Sequence, residues 1–292
     1  MSISAESLSA ARFPHDTRDI RVCETHLSFV VVTAEFAKKI KKAVRLDFSD
    51  ATALPRRREL CDAELRLNRR YAPELYLQVV PIVVQDERLS FGASGDAVDY
   101  AVQMRQFDAR DELQALLAQN AVDTDDFAAL ADLIAEFHAR AAAFNRTPPA
   151  GSDAFARKAR ENTASVLCRA RLVEAETEAA TLERWTTARL VSQRSQLEAR
   201  ERQGAIRECH GDLHTGNVIR WRGRLLPFDC IEFDTELRYI DVLNEIAFLT
   251  MDLIDRGRAD LAFVFLNRYL ERTGDYAGMP LLPDYLVYRA LV

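Results

Sequence analysis

Five acidic or amide side chains fall within one stretch of the chain, HGDLHTGNVIRWRGRLLPFDCIEFD, and their types suit the transfer of a phosphoryl group. Phosphoryl transfer from ATP needs a carboxylate to accept a proton, and an amide and a second carboxylate to hold a hard cation. Mg²⁺ prefers oxygen ligands and takes few of them from protein. The stretch therefore predicts an ATP- and Mg²⁺-dependent site built from this set: Asp212, Asn217, Asp229, Glu232 and Asp234.

A β-hairpin is predicted in the middle of this stretch. Residues 218–221 are apolar and β-prone, Arg222-Gly223 is typical of a turn, and residues 225–228 form a second apolar run. Because a hairpin returns its two ends to the same side, we expect Asn217 and Asp229 to lie close together. A less specific alternative is a hairpin whose polar end residues face solvent and form no site.

A second alternative is a metal site formed by the alternating residues His210, Asp212 and His214. On a strand these three side chains would share one face, and imidazole is a good zinc ligand. Gly211 and Gly216 argue against a regular strand at this point. This alternative predicts a His/Asp metal-dependent hydrolase.

The motifs of this stretch resemble those of the aminoglycoside phosphotransferase family and, through it, the protein-kinase-like fold. HGDLHTGN resembles the catalytic loop, LLPFDCIEFD the segment with the metal-binding aspartate, and IDVLNEIAF the segment that follows it. The resemblance implies that Asp212 is the catalytic base and that Asn217 and Asp229 bind Mg²⁺. It also implies that His210 and Asp241 support the catalytic loop.

A narrower resemblance covers the chain from about residue 21 to its end. The phrases ETHLSFVVV, ELRLNRRYAPELYLQVVPI and CHGDLHTGN are similar to the phosphotransferase half of bacterial proteins in which such a domain precedes a P-loop ATPase domain. The chain has no G-x-x-x-x-G-K-[ST] motif, so this resemblance places the ATPase domain outside the chain. The helix predicted over 285–292 has no capping residue, which favours a segment of a longer protein.

The strand predicted over residues 36–43 offers the lysine that a nucleotide site needs. Alternation places Ala37, Lys39 and Lys41 on one face of this strand. In kinases the phosphate-anchoring lysine follows a small residue by two positions, so Lys39 is the first choice and Lys41 the reserve. The alternative is that these lysines bind no nucleotide and only protect an edge strand from pairing with another chain.

The helix predicted over residues 55–71 carries a partner for this lysine. Its apolar stripe contains Leu60 and Leu67, and Glu64 lies on the same stripe. A buried carboxylate needs a partner, and we expect Lys39 to provide it, as in the Lys–Glu pair of kinases. A solvated Glu64 at the margin of the stripe is the alternative.

The predicted sheet ends at residues 104–107, with the sequence MRQF. In the resembled fold this is the hinge whose backbone binds adenine, which assigns Met104 and Phe107 to the nucleotide site. Residues 23–28 contain no glycine, so Thr25, Ser28 and backbone amides would take the place of the glycine-rich phosphate loop of kinases.

The expected fold is therefore α+β, two-lobed and protein-kinase-like. We expect an N-terminal arm or initial helix over residues 1–20. An N-lobe over 21–106, with an antiparallel sheet and one helix, would bind the nucleotide. A mainly helical C-lobe over 107–292 would carry the catalytic loop and the metal-binding hairpin.

Composition narrows the choice of partners. The chain has 292 residues, 48% hydrophobic and 29% charged, with a net charge of −6, which is typical of a globular protein and disfavours nucleic acid. No apolar run approaches the roughly 18 residues of a membrane helix, and the first residues lack a signal pattern. Five scattered cysteines without C-x-x-C indicate reduced thiols, so we expect a cytoplasmic protein.

The function predicted from the sequence is transfer of the γ-phosphoryl group of ATP to a hydroxyl of a small molecule, aminoglycoside-like or another small alcohol. Glu232 and Asp234 are candidates for attracting a cationic acceptor, or are solvated acids. The main alternative is a non-catalytic nucleotide-binding module that regulates a larger protein. The sequence of the helices after residue 150 is too generic to identify the acceptor.

Overall fold

The chain folds into two compact units. The computed structural model describes residues 3–15, 17, 19–46, 49–143, 151–170, 172 and 174–292. Contacts group Met1–Ala109 with Phe228–Asp234 as the first unit, and Arg110–Pro227 with Thr235–Val292 as the second unit. The lobe boundaries predicted from the sequence stay predictions. Residues 228–234, which we expected in the helical lobe, make their contacts in the first unit instead.

The described residues of the first unit form a six-stranded sheet, a two-stranded ribbon of β4 and β5, and two helices. The strands of the sheet follow the order β1-β2-β3-β8-β6-β7, and every neighbouring pair is antiparallel. The elements in chain order are α1 (Ala5–Ser9), β1 (Arg21–Glu24), β2 (Ser28–Val32), β3 (Phe36–Lys41), β4 (Arg45–Leu46), β5 (Ser49–Asp50), α2 (Leu54–Asn68), β6 (Tyr76–Gln85), β7 (Arg88–Phe91) and β8 (Ala97–Arg105).

Helix α2 packs against β8 and carries the predicted stripe. Leu60, Glu64 and Leu67 are all buried, so Glu64 lies in the interior and not at a solvated margin. The helix begins with Pro55 in its first turn, as predicted, because a proline there gives up no hydrogen bond. Thr52 does not cap it: Ala53 is at the N-cap position and makes no side-chain bond.

The second unit is mainly helical. Helix α4 packs against α10, and α9 packs against both α10 and α11. Two short antiparallel ribbons, β10-β11 and β12-β9, complete it. The elements are α3 (Leu113–Ala118), α4 (Thr124–Arg140), α5 (Ser152–Ala170), α6 (Glu176–Ser192), α7 (Arg194–Arg202), β9 (Ile206–Glu208), β10 (Val218–Trp221), β11 (Arg224–Pro227), α8 (Thr235–Arg238), β12 (Tyr239–Asp241), α9 (Val242–Asp255), α10 (Ala259–Thr273) and α11 (Leu282–Ala290).

The hairpin predicted within the acidic stretch is confirmed. Val218 pairs with Pro227 and Trp221 with Arg224, which leaves Arg222-Gly223 as the turn. Arg222 and Gly223 both adopt positive φ, the backbone conformation that tight hairpin turns require. Within the described part of the chain, no helix has the length and apolar character needed to cross a membrane.

Lys38 is buried on the face of the first unit's sheet opposite Lys39. Its side chain has no exposed surface, and its Nζ atom has no hydrogen-bond partner among the described residues. The ammonium lies 5.0 Å from the ring centre of Phe13, 5.4 Å from Phe36 and 5.8 Å from Phe91. Burial lowers the pKa of Lys38 from 10.5 to about 8, because the desolvated charge is stabilised by ring faces alone.

We predict that Lys38→Met stabilises the protein at pH 7. Because the folded state lowers the pKa of this amine, the unfolded state binds more protons between pH 8 and 10.5, and wild-type stability rises with pH in that window. The variant should gain on the order of 1–3 kcal/mol at pH 7 and lose this pH dependence. Thermal unfolding followed by circular dichroism at pH 7 and pH 9.5 measures both effects.

Lys42→Met is the matched control, because the Lys42 ammonium pairs at 2.5 Å with the exposed Glu24. It should leave the pH dependence of wild type in place. A lower melting temperature for Lys38→Met at pH 7 would mean that the ring contacts outweigh desolvation.

Candidate active site

A chain of alternating charges crosses the interior of the first unit. Lys39 projects from β3, and its Nζ atom lies 3.2 Å from Oε1 of Glu64 on α2 and pairs with Oδ1 of Asp229. Lys41, two positions further along β3, lies 2.5 Å from Oε2 of Glu64 and 2.5 Å from Oε1 of Glu232. Both contacts of Glu64 are ion pairs that lack the angular geometry of a hydrogen bond. The order Asp229–Lys39–Glu64–Lys41–Glu232 therefore alternates in sign.

Burial and the neighbouring charges shift the pKa values of these groups in opposite directions. Burial disfavours the ammonium of Lys39, but Asp229 and Glu64 outweigh it and raise the pKa of Lys39 well above 10.5. Burial raises the pKa of Glu232, and Lys41 only partly opposes this effect. Lys39 thus remains a cation, as a phosphate-binding group must.

Residues 228–234 are anchored to the first unit by backbone as well as by charge. The Asp229 N–H donates to Oη of Tyr76 at 3.1 Å, and the Cys230 N–H donates to Oδ1 of Asn68 at 2.9 Å. Asp229 has a φ of 63°, a left-handed conformation that costs a non-glycine residue free energy, and these two bonds hold it there. The Asp229 side chain keeps 39% of its surface exposed.

Glu232 does not have the environment of a substrate-attracting acid. Its side chain is 7% exposed and contacts Lys41, so the suggestion that it attracts a cationic acceptor was wrong. The physical reason is that a second lysine on the same face of β3 neutralises it. Asp234 is partly buried, and its proposed role stays a prediction.

The predicted adenine hinge lies at the end of β8. Met104 is buried and pairs with Ala37 of β3 and Tyr76 of β6. The Phe107 ring packs against Phe228 with ring centres 5.2 Å apart. The role of Met104 and Phe107 in binding adenine stays a prediction.

The segment predicted to take the place of a glycine-rich loop is a closed turn between β1 and β2. The Thr25 hydroxyl accepts from the Ser28 N–H at 3.0 Å and donates to the Ser28 carbonyl at 3.1 Å. Ser28 itself is buried. The two hydroxyls are therefore used inside the turn or buried, and β1, which we had not predicted, extends the sheet just before it.

In the second unit, Asp212 lies in the predicted catalytic loop between β9 and β10. Asn217 donates from Nδ2 to the Asp212 carbonyl at 2.9 Å and to Oδ2 of its carboxylate at 2.8 Å. Nε2 of His214 lies 3.5 Å from the same Oδ2 atom. Burial opposes ionisation, but the contact with His214 outweighs it, so the pKa of Asp212 lies below 3.8. The carboxylate is thus ionised at neutral pH and can accept a proton.

Glu245 of α9 holds the backbone of this loop. Its Oε1 atom accepts from the His210 N–H and its Oε2 atom from the Gly211 N–H, each at 2.8 Å. Nδ1 of His210 then accepts from the Asp212 N–H at 3.2 Å, which suits the supporting role predicted for His210. Nε2 of His138 lies 3.4 Å from Oε1 of Glu245. Gly211 has a φ of 90°, which favours glycine at this close approach.

Asp241 supports a different part of the unit, so its assignment as the brace of the catalytic loop was wrong. It caps α9 by accepting from the Leu243 N–H at 2.9 Å, and Arg200 donates to both of its oxygens at 2.5 and 2.7 Å. Tyr285 donates to it at 3.0 Å. The bracing residue is Glu245, one turn further into the helix. Its signal in the sequence was an acid within the apolar run VLNEIAFLT.

Two further contacts that the sequence did not suggest secure the loop. Arg289 of α11 donates from Nη1 to the Gly211 carbonyl at 3.1 Å and from Nε to Oδ1 of Asn244 at 2.8 Å. Asp252 accepts from the Thr215 N–H at 2.8 Å and from its hydroxyl at 2.5 Å. Both come from helices far along the chain, which is why no local pattern revealed them.

The zinc-hydrolase alternative does not fit this geometry. Residues 210–214 follow β9 as irregular backbone, so His210, Asp212 and His214 share no strand face. Nδ1 of His210 is engaged by the Asp212 N–H. Among the described residues, the group with ligand atoms close enough for a metal is instead buried His138, Cys209 and Glu245.

A small pocket in the second unit does not include the catalytic loop. Rings from Phe155, Tyr285 and Tyr288 line it, together with Lys158 and Glu236. Residues 210–217 are absent from its lining. It is a separate feature from the loop that carries Asp212.

The predicted meeting of Asn217 and Asp229 stays a prediction, because the two residues belong to different units. Each unit by itself holds one part of the predicted phosphotransfer site. The first contains Lys39, Glu64 and Asp229, and the second contains Asp212 and Asn217.

A solved structure identifies the fold. A choline kinase from Cryptosporidium parvum superposes with a TM-score of 0.50 at 12% sequence identity, over 94% of this chain and 80% of that chain. This chain has a protein-kinase-like fold. The α+β prediction and the fold expected from the sequence resemblance are thereby confirmed. An aminoglycoside phosphotransferase from Streptomyces rimosus, solved with ADP and streptomycin, matches at a TM-score of 0.48 and 15% identity, over 93% of this chain and 92% of that one.

Curated relatives of this kinase-like chain are longer than the chain itself. An uncharacterized protein of Mycobacterium tuberculosis H37Rv is 33% identical over 275 residues, which cover 94% of this chain and 53% of the relative. A protein of Mycobacterium bovis gives the same values. The chain thus spans about half the length of the curated relatives it matches. No protein-family model matches the sequence.

We predict that Glu245→Gln destabilises the protein, because a charged acceptor of two backbone N–H groups is lost. Burial opposes ionisation of Glu245, but His138 and the backbone bonds lower its pKa from 4.5 to about 2. A depressed pKa gives stability that is present above pH 4.5 and lost as the pH falls toward 2. The variant should lose about 3 kcal/mol at pH 7, and this deficit should shrink in acid. Urea unfolding at pH 7 and pH 3 measures both.

Glu136→Gln on α4 is the control, because Glu136 is an exposed partner of Arg140 and should change stability little. Equal stability of wild type and Glu245→Gln at both pH values would contradict the bracing role.

Proposed function

We propose that this chain transfers the γ-phosphoryl group of ATP to a hydroxyl of a small molecule, with Mg²⁺ as cofactor. The observation that carries the proposal is the ionised Asp212, hydrogen-bonded to Asn217 in a loop whose backbone Glu245 fixes. A carboxylate held in one orientation beside a fixed amide is what alignment and deprotonation of a hydroxyl need.

Asp212 is the group that would accept the proton. The acceptor hydroxyl oxygen bonds to the γ-phosphorus, its proton moves to a carboxylate oxygen of Asp212, and the bond between the γ-phosphorus and the β–γ bridging oxygen breaks. The products are a phosphomonoester and ADP. Asn217 and His214 keep the carboxylate in place through contacts at 2.8 and 3.5 Å.

Lys39 would bind the phosphates of the nucleotide. It is held by Glu64 and by Asp229, and its pKa is raised, so its positive charge persists throughout the working pH range. A cation held on a strand costs little reorganisation when the polyphosphate arrives.

The residues present fit Mg²⁺. Asp229 offers a carboxylate that is 39% exposed. Asn217 gives its NH₂ group to Asp212, which leaves its carbonyl oxygen as the ligand atom. Both are hard oxygen ligands of the kind this ion prefers. When bound, Mg²⁺ would neutralise charge on the phosphates.

The acceptor is proposed to be a small alcohol. A fold shared with a choline kinase supports this class. Burial of Glu232 beside Lys41 removes one of the two acids that suggested a cationic acceptor, so aminoglycosides are one class among several. A cytoplasmic location and a P-loop ATPase domain beyond this chain remain parts of the proposal.

We predict that Asp212→Asn strongly reduces turnover and leaves nucleotide binding intact. The amide keeps the shape of the side chain but cannot accept the proton, so the rate should fall by about 10²–10⁴-fold. The affinity for ADP should change less than about twofold, because Asp212 acts on the reacting state. ADP formation with a panel of small alcohols, and ADP binding by calorimetry, measure the two effects.

Asp255→Asn at the exposed end of α9 is the control and should match wild type in both assays. Near wild-type turnover by Asp212→Asn would refute the assignment. Nucleotide binding by wild type without turnover of any acceptor would instead favour the non-catalytic module.

A further inference from the structure

We propose that Lys41 and Glu232 form a buried positioning pair that holds residues 228–234 and thereby sets the affinity of Asp229 for the divalent cation. This inference rests on the proposed function, since it concerns the same metal site. The sequence made Lys41 the second choice, after Lys39, for the lysine that anchors the phosphates. The inference gives Lys41 a different role.

The pair is enclosed in the first unit. Nζ of Lys41 lies 2.5 Å from Oε1 of Glu232, and the two side chains are 5% and 7% exposed. Glu64 contacts the same ammonium at 2.5 Å, so two carboxylates surround Lys41. A lysine engaged in this way has no exposed charge to offer to a phosphate.

The position of Glu232 along the chain makes it the distal anchor of the segment. Asp229 and Cys230 are held through their backbone N–H groups by Tyr76 and Asn68. Glu232 follows two residues later and reaches the other lysine of β3. The segment is therefore held at its left-handed residue, Asp229, and again three residues later at Glu232, and these contacts together orient the Asp229 carboxylate.

The charges show why the pair matters for a metal. Three carboxylates (Asp229, Glu64 and Glu232) share two ammonium groups (Lys39 and Lys41). Loss of Lys41 would leave Glu64 and Glu232 to compete for Lys39, which also holds Asp229. The segment would then shift to separate these carboxylates, and the metal ligand would move with it.

The experiment measures ADP binding by calorimetry as a function of MgCl₂ concentration. In Lys41→Met and in Glu232→Gln, the Mg²⁺ concentration that gives half of the metal-dependent gain in ADP affinity should rise about tenfold, as expected when an outer partner of a metal ligand is lost. The ADP affinity of each variant without metal is the reference from which this gain is measured. Lys41→Arg should restore the wild-type midpoint, because it keeps the charge.

Lys42→Met is the matched control, because the neighbouring lysine pairs with the exposed Glu24 and donates to the Thr25 carbonyl. If Lys41→Met does not fold, the double variant Lys41→Met/Glu232→Met removes both charges together and leaves a buried apolar pair. It should show the same raised Mg²⁺ midpoint, since an apolar contact does not fix the direction of the segment.

The outcomes separate this inference from the function on which it rests. Asp229→Asn should raise the midpoint in any case. If it does and neither Lys41→Met nor the double variant changes the midpoint, the positioning role is overturned and the proposed function stands. If Asp229→Asn has the same Mg²⁺ dependence as wild type, the assignment of Asp229 as a metal ligand is refuted, and this inference is refuted with it.

Discussion

A buried carboxylate stays charged only where cations or N–H groups surround it, and this constraint organises both units of the chain. In the first unit Glu64 lies between Lys39 and Lys41, and the outer carboxylates Asp229 and Glu232 complete the alternation. The sheet supplies the lysines, α2 supplies Glu64, and residues 228–234 dock where the remaining positive charge lies. The placement of residues 228–234 is thus an electrostatic consequence of two lysines on one strand face.

In the second unit, backbone N–H groups stabilise the buried carboxylate. Glu245 is buried in an apolar helix and accepts from the N–H groups of His210 and Gly211, so its charge is stabilised and the loop before Asp212 is fixed at the same time. Arg289 holds the carbonyl of Gly211 from the other side. In the proposed function, a carboxylate beside such a rigid backbone needs no rearrangement before it accepts a proton.

The features that depend on a local sequence pattern could be predicted from the sequence. The contacts that depend on how distant elements pack could not. The hairpin at 218–227 followed from turn chemistry and the stripe of α2 from periodicity, whereas the pair of Lys39 with Glu64 followed from that stripe together with the resemblance to kinases. The family resemblance implied Asp241 as the brace; Glu245 lies four residues later near the start of the same helix, and only the fold shows that it is the acid that contacts the loop. The pairing of Lys41 with Glu232 joins residues 191 positions apart, which no local pattern could reveal.

The central claim is transfer of a phosphoryl group to an alcohol, and phosphorus NMR of the products tests it most directly. The chain is incubated with ATP, MgCl₂ and a panel of small alcohols that includes aminoglycosides. The account predicts ADP together with an equal amount of a new phosphomonoester, both dependent on Mg²⁺ and on one class of acceptor. Bound ATP that remains intact with every acceptor, or cleavage that yields inorganic phosphate alone, would contradict it.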